Sequence, residues 1–543
     1  MRRVVLASCL VFGFVATNSL AWSPTTPEIA VAKFGGTGED KGYSVAVDSS
    51  GNIYTTGIFS GTVDFDPGVG TANLTSAGSW EVFVSKLNSA GELVWVKKFG
   101  STAADQGTSV AVDSLGNVYT TGSFSGTVDF DPGAGTSNLF SGNDAVFVLK
   151  LNSAGEFVWA KQFNESWTSV AYGYSIAVDS LGNVYTTGMF RGTVDFDPGA
   201  GASNLTSAGS TGNVDAFVSK LDSTGAFVWV KQFTGTGNKD EVGYSIAVDS
   251  SGNVYTTGSF SGTTDFDPDP AGGAVANLTS AVGADVFVSK LNSTGAFVWV
   301  KQFGGTSSEQ GRSIAVDSSG NVYTTGFFQG TADFDPDPAG GAVANLTSAG
   351  VLEVFVSKLN STGAFVWAKR LGGTGNDEGK SVTVDASGNV YTAGRFADTA
   401  DFDPGAGTSN LTSAGGFDVF VSKLDATGAF VWAKQFGGTG DFDEGHSIAV
   451  DSSGNVYTTG TFRGTADFDP GAGTANLVSS DGADALATDV FVSKLSSAGA
   501  AVSATTTTTS TTTTTPAQAE EARRLEESRN AFELSERCRK ANH

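Results

Sequence analysis

The chain of 543 residues carries 56 Asp and Glu against 31 Lys and Arg, a formal charge of −25, with 72 glycines and 39 phenylalanines. So acidic a surface repels nucleic acid and anionic membrane. Cys9 and Cys538 sit near the two ends, and His446 and His543 are the whole histidine inventory, which excludes a disulfide in the body and any chemistry built on a histidine cluster.

In chain order, residues 1–21 read as a secretory signal: MRR supplies the positive start, VVLASCLVFGFVA the apolar run, and Ser19-Leu20-Ala21 the small-residue cleavage site. Leu6-Ala7-Ser8-Cys9 has the form of a lipoprotein acylation box but comes too early, with no working apolar run ahead of it. No other stretch reaches the roughly 18 apolar residues of a membrane span. An exported, soluble product without a transmembrane segment is expected.

Residues 22–503 are predicted to form one domain, because they are one text written seven times. Its beat is kept by Tyr54, Tyr119, Tyr185, Tyr255, Tyr323, Tyr391 and Tyr457, spaced 65, 66, 70, 68, 68 and 66 residues. A single such unit cannot bury its own apolar face and must stack on its neighbours. In the first unit SVAVD (44–48) alternates polar and apolar and ends at the turn SSGN. NIYTTGIF follows, then after a loop EVFVSKL (81–87), the turn NSAG, and ELVWVKKF (92–99). Four short strands with a glycine at each corner predict an antiparallel meander, and helical periodicity is absent. Seven meanders in series predict an all-β, seven-bladed β-propeller, which leaves only short, protected edges. The seventh unit ends FVSKLSSAGAAVSA, without a VW strand, whereas EIAVAKF (28–34) at the front is a spare copy of that strand. The sequence therefore predicts that 28–34 pair with Asp489–Leu495 and close the propeller. Residues 504–516 (TTTTTSTTTTTP) predict an extended linker. Residues 517–543 predict a charged helix whose apolar stripe, Ala522, Leu525 and Phe532, is thin.

The recurring AVDSSGNVYTTG…FVSKL…GAFVWVKQFGG resembles the bacterial β-propeller repeat family called SBBP, over about 28–503. The resemblance implies a secreted or surface protein of propeller fold with no defined reaction. It also implies that SVAVD is the innermost strand, lining a channel, and VWVKQF the outermost.

Four recurring features are candidates for function. Trp95, Trp159, Trp229, Trp299, Trp367 and Trp432 hold one position in the last strand. LDSTGAFVW also resembles the tryptophan-docking repeat of quinoproteins, with one residue fewer; the reading from the residues is packing between blades. Asp-Phe-Asp-Pro supplies a carboxylate pair in every unit. The pairs are Asp64 with Asp66, Asp129 with Asp131, Asp195 with Asp197, Asp265 with Asp267, Asp333 with Asp335, Asp401 with Asp403, and Asp467 with Asp469. An Asx turn beside the proline is the first reading, and calcium on hard oxygen ligands the second. Asp40, Asp105, Asp240, Glu309, Asp377 and Asp443 precede the first strand of their units and are predicted to ring one mouth of the channel. The position just before that strand varies from unit to unit: Tyr43, Thr108, Tyr174, Tyr244, Arg312, Lys380 and His446, each preceded by glycine. Aromatic and arginine side chains dominate binding hot spots, so these seven are the candidate ligand-binding residues. Sequon-like triplets such as Asn73-Leu74-Thr75 carry no weight beside a bacterial resemblance. The expected function is a monomeric, non-catalytic binding or structural module for a protein or carbohydrate ligand. The alternative is an extracellular propeller enzyme, either a polysaccharide-active hydrolase or lyase or quinoprotein-like.

Overall fold

The computed structural model describes residues 23–26, 29–164, 167–208, 212–235, 239–269, 276–336, 344–440, 442–480 and 487–497. The predicted signal (1–21), threonine-rich linker (504–516) and C-terminal helix (517–543) lie outside the described residues. All described residues belong to the unit Met1–Ala501. They form 37 strands and no helix, and every ladder between strands is antiparallel.

The first unit shows the pattern. Strands β1 (Ser23–Thr26) and β2 (Ile29–Gly36) precede it. Strands β3 (Lys41–Val47), β4 (Ile53–Phe59), β5 (Thr62–Asp64), β6 (Asn73–Thr75), β7 (Glu81–Leu87) and β8 (Leu93–Phe99) compose it. β3, β4, β7 and β8 lie side by side in that order, as the meander predicts. β4 and β7 are buried at every residue, which is why they read as continuous β-branched and aromatic runs, while the outer β3 and β8 alternate.

The turn from β3 to β4 is fixed chemically. Gly51 sits at φ 77°, where a Cβ would be strained. Asp48 Oδ1 accepts from the Ser50 and Asn52 amides at 2.9 Å, and Oδ2 accepts from the Asn52 side-chain amide at 2.8 Å and the Tyr54 hydroxyl at 2.9 Å. Burial pushes the Asp48 carboxyl up, yet those hydrogen bonds hold it below the ordinary carboxylate range. Tyr54 is wholly buried and packs with Val110, Val118 and Phe147 of the next unit; burying such a ring contributes about 1.5–3 kcal/mol. The tyrosine beat is thus the seam between units, repeated with Tyr119 against Ile176 and Val184.

Two features go beyond the predicted meander. The loop after β4 is itself a short ladder, Thr62↔Thr75 to Asp64↔Asn73, and β2 crosses to it through Gly35↔Asp64 and Gly36↔Val63. Three-residue strands give too little alternation to be legible. The other is β1, a proline-containing strand that pairs with β2 and carries no strand pattern of its own.

The spare front strand takes the predicted partner: Ile29 opposes Leu495 and the register runs to Phe34 opposite Val490. A second thread joins the units. Val110, Ile176, Ile246, Ile314, Val382 and Ile448 each donate an amide to the serine of the preceding first strand, Ser44, Ser109, Ser175, Ser245, Ser313 and Ser381. Val45 donates to Ser447, at 3.1 Å, so the seventh unit is bonded to the first.

Candidate binding site at the first-strand bulges

The variable position has a structural definition. In the first strand of every unit the pairing register slips by one residue, and the residue passed over is Tyr43, Thr108, Tyr174, Tyr244, Arg312, Lys380 or His446. A bulged residue has no ladder partner and its side chain is re-aimed. The glycine before it is needed for close approach: a Cβ on Gly42 would fall 2.4 Å from Thr459 Oγ1 of the seventh unit. Backbone geometry therefore constrains the neighbours and leaves the bulge free in residue type.

The seven side chains divide into two arcs. Tyr174 lies 5.8 Å from Tyr244 in ring-centroid distance, and the Arg312 guanidinium stacks over Tyr244 at 4.7 Å. Tyr172, two residues before the bulge, stacks on Tyr174 with the rings 8° from parallel. Burial, then Tyr244, pushes the Tyr174 hydroxyl up to about 12, with Arg312 opposing, so it is a neutral donor at physiological pH. On the other arc Lys380 pairs with Glu378, and Arg395 bridges Glu378 at 2.8 Å and Glu444. His446 stands 3.7 Å from Glu444 and packs on Tyr43 at 5.5 Å. Burial drives the His446 imidazole down to about 4, and it is neutral at pH 7. Burial opposes the charge on Glu378, but Lys380 and Arg395 hold that carboxyl at about 2. Thr108 is turned inward, its hydroxyl 2.7 Å from the Gly173 carbonyl.

Sequence reasoning missed Tyr172, Glu378, Arg395 and Glu444. A signal existed: the position two before the bulge reads Lys41, Gln106, Tyr172, Val242, Gln310, Glu378 and Glu444, nearly as variable as the bulge itself.

The predicted acidic rim is not a rim. Asp40, Asp105, Glu309, Asp377 and Asp443 are at most 1% exposed. Each sits between units, and where the bonds are resolved the carboxylate caps two backbone amides. Asp105 accepts from Ser101 and Ser125 at 2.6 and 3.0 Å, and Asp377 from Gly373 and Ala397 at 2.7 and 3.1 Å. Asp240 is exposed, because it lies four residues before its bulge instead of three, and Glu241 takes the buried place. Most face a second buried acid across the seam. Burial pushes Glu309 up to about 8, with Asp285 adding to it, and Asp285 itself up to about 6. Glu241 is likewise raised to about 8 beside Asp215.

In the Asp-Phe-Asp-Pro loops the phenylalanine is buried, Phe65 being 0% exposed. Asp64 Oδ1 accepts from the Asp66 and Ala72 amides at 3.0 and 2.8 Å, and Asp66 Oδ1 from Gly68 at 2.8 Å. The same bonds recur in four further units. Asp129, Asp195, Asp401 and Asp467 each accept from the amide two residues on and again from the far side of the loop. Asp131, Asp197, Asp403 and Asp469 each accept at 2.8 Å from the glycine amide two residues on, at Gly133, Gly199, Gly405 and Gly471. Asp265 and Asp333 span a longer loop, accepting from the amides of Asp267 and Asp335 and from Ala276 and Ala344. Asp267 in turn accepts from Asp269.

These are Asx turns, the first of the two readings. Among the described residues no cluster of three or more acidic, histidine or cysteine side chains is arranged to hold a metal ion. The first acid of each pair turns an oxygen to its own backbone amides, as the turn reading expects. The tryptophans dock between units: Trp95 donates to the Ser153 carbonyl at 3.3 Å, and Trp159 to that of Ser223.

An all-β chain of stacked antiparallel repeats, whose first strands vary at the bulge and two residues before it, defines a propeller-type repeat protein. Residues 31–57, 94–123, 158–189, 228–266, 298–326, 366–395 and 431–461 match the SBBP β-propeller repeat. The chain carries seven copies of that repeat. Among curated proteins it is similar to an uncharacterized WD repeat-containing protein, L264, of Acanthamoeba polyphaga mimivirus, with 26% identity. That match takes in 79% of this chain and 36% of the viral protein. It is also similar to the regulatory protein FlaEY of Caulobacter vibrioides, at 26% identity over 27% of this chain and 14% of FlaEY. The chain thus spans well under half the length of either relative. Among solved structures, Sqt1 from Chaetomium thermophilum aligns at 10% identity and a TM-score of 0.33, covering 79% of this chain and 95% of Sqt1. The WD40 propeller domain of Doa1 aligns at 11% and 0.26, covering 68% and 94%. Scores this low add nothing to the family match.

Proposed function

We propose that the protein is exported, that its seven repeats close into a seven-bladed propeller, and that it is a non-catalytic binding or structural module. Its ligand, a protein or a glycan, docks on the first-strand bulges. The observation that carries the reading is the contrast within the repeat. Strands, turns and seams are rewritten almost unchanged seven times, while the one position released from ladder pairing carries Tyr, Thr, Tyr, Tyr, Arg, Lys and His. The bond from Val45 to Ser447 and the pairing of β2 with Asp489–Leu495 support closure. Stacked tyrosines beside an arginine are the side chains that dominate recognition hot spots. The test is a glycan and protein binding screen on the full chain, repeated with Tyr174, Tyr244 and Arg312 all changed to Ala. Loss of the ligand found in the screen, with the melting temperature moved by only a few degrees, is the expected result. Binding that survives the triple change places recognition elsewhere.

A further inference from the structure

A second departure from the repeat lies outside the bulges, in a cleft of about 670 Å³ between the last strand of the second unit and the Asp-Phe-Asp-Pro loop of the third. The corresponding cleft between the fourth and fifth units measures about 260 Å³ and has no aromatic in its lining. In the larger one Phe140 stands where other units have Thr75, Thr206, Thr279, Thr347, Thr412 or Val478. Those threonines bond a threonine on the paired strand, as Thr75 does Thr62 at 2.8 Å. Phe140 gives up that bond and is 48% exposed.

Trp167 lies against Phe140, ring centroids 5.8 Å apart and planes 57° from parallel, and is 71% exposed. Its indole rests on the backbone of Gly142, where a Cβ would come within 2.2 Å of the ring. Among the described residues these are the two exposed phenylalanine or tryptophan side chains. Asn164 lines the same cleft. It is 2% exposed and holds φ at 81°, a strained conformation for a residue other than glycine. Its side-chain amide donates to the Asp144 and Ser169 carbonyls at 3.1 and 3.2 Å, tying the two units together beside the tryptophan. Most other units place glycine at this point, as at Gly35, Gly100, Gly304, Gly372 and Gly437.

On the opposite wall Asp195 and Asp197 spend Oδ1 on their own turn. Their Oδ2 atoms accept no hydrogen bond among the described residues. Lys161 lines the same cleft and adds a donor. Two carboxylates alone would favour a cationic guest; the lysine opposes one. Groups that both donate and accept, set on a ring with an apolar C–H face, match this lining: hydroxyls for the carboxylates and Lys161, the flat face for Phe140 in the wall and for Trp167 packed against it.

We infer that the cleft between the second and third repeats is a carbohydrate-binding site, in which Trp167 and Phe140 form the stacking platform and Asp195 and Asp197 accept from sugar hydroxyls. The proposal is independent of the bulge site. It is tested by calorimetric titration of the full chain with cellohexaose, xylohexaose and chitohexaose, and of Trp167→Ala, Phe140→Thr and the variant with Tyr174, Tyr244 and Arg312 changed to Ala. At least one sugar should bind saturably, and Trp167→Ala should weaken it by about tenfold or more. Phe140→Thr, which restores the repeat residue, should weaken it as well, while the triple variant should bind unchanged. Trp167 is mostly in water, so its removal should leave the melting temperature in place, which separates lost binding from lost fold. The inference is overturned if none of the three sugars binds saturably or if binding is indifferent to Trp167→Ala. Capture of hexalysine by the cleft in place of sugar overturns it too.

Discussion

Carboxylates in this protein answer pH in opposite directions. Asp48 and its counterparts Asp113, Asp179, Asp249, Asp317, Asp385 and Asp451 have folded pKa values below the ordinary range. Their contribution is present above about pH 4 and is lost as pH falls through the folded value. The seam acids are the reverse: Asp105, Asp285 and Asp377 are raised to about 6, Asp443 to about 7, Glu241 and Glu309 to about 8, each chiefly by burial. The folded state holds those protons more tightly than the unfolded chain, so stability falls as pH rises from about 4 towards 8. A melting temperature highest near pH 5 and lower at pH 8 is expected in a scanning-fluorimetry series. Glu309→Gln, which keeps the shape and removes the charge, should raise melting at pH 8 and leave it unchanged at pH 5. An equal effect at both pH values would show that Glu309 is not carrying a buried charge. None of this was legible in the sequence, where Asp105, Glu309, Asp377 and Asp443 read as part of a ring at one mouth of the channel. What buries them is the neighbouring unit, and the signal that it comes so close is the glycine after most last strands, such as Gly100, whose missing Cβ leaves room for Glu81 and Asp105. The Asx turns were legible, because Asp and Pro define that turn locally.

At the scale of strands, β2 lends an edge to a unit it does not follow. Without it Asp489–Leu495, buried along nearly its whole length, would be an uncovered sheet edge, a template for pairing with another chain. Deletion of residues 22–34 should therefore lower the melting temperature and produce oligomers in light scattering; a monomer of unchanged melting would contradict that role. The four-stranded order and this partner were both readable, since alternation, glycine corners and a missing strand are local text. The bulge was readable only by its symptom, a variable position after glycine, because register depends on which residue faces which across the ladder. Nothing in the sequence says that Phe140 of the second unit and Trp167 of the third come into ring contact.

Over the whole molecule, seven copies of one loop turn a small effect into a large one. If the Asp-Phe-Asp-Pro loops took calcium, each site at about 100 times its dissociation constant would add roughly 2.7 kcal/mol. Asp64 and its equivalents already spend one oxygen on backbone amides, so melting in chelator and in millimolar calcium should agree; a rise of many degrees with calcium would assign the loops to metal instead. The pairing of β2 also sets a timetable. Lys33 reaches Val478, 445 residues downstream, so the first strand to leave the ribosome waits for the last unit. At about 5–20 residues per second that wait is roughly 20 to 90 seconds. All that time the segment EIAVAKF faces a series of nearly identical FVSKL strands, each already claimed by the VW strand that follows it. Order of synthesis, as much as affinity, thus reserves the seventh for it, and a stalled or truncated chain is left with a strand that only another molecule can receive.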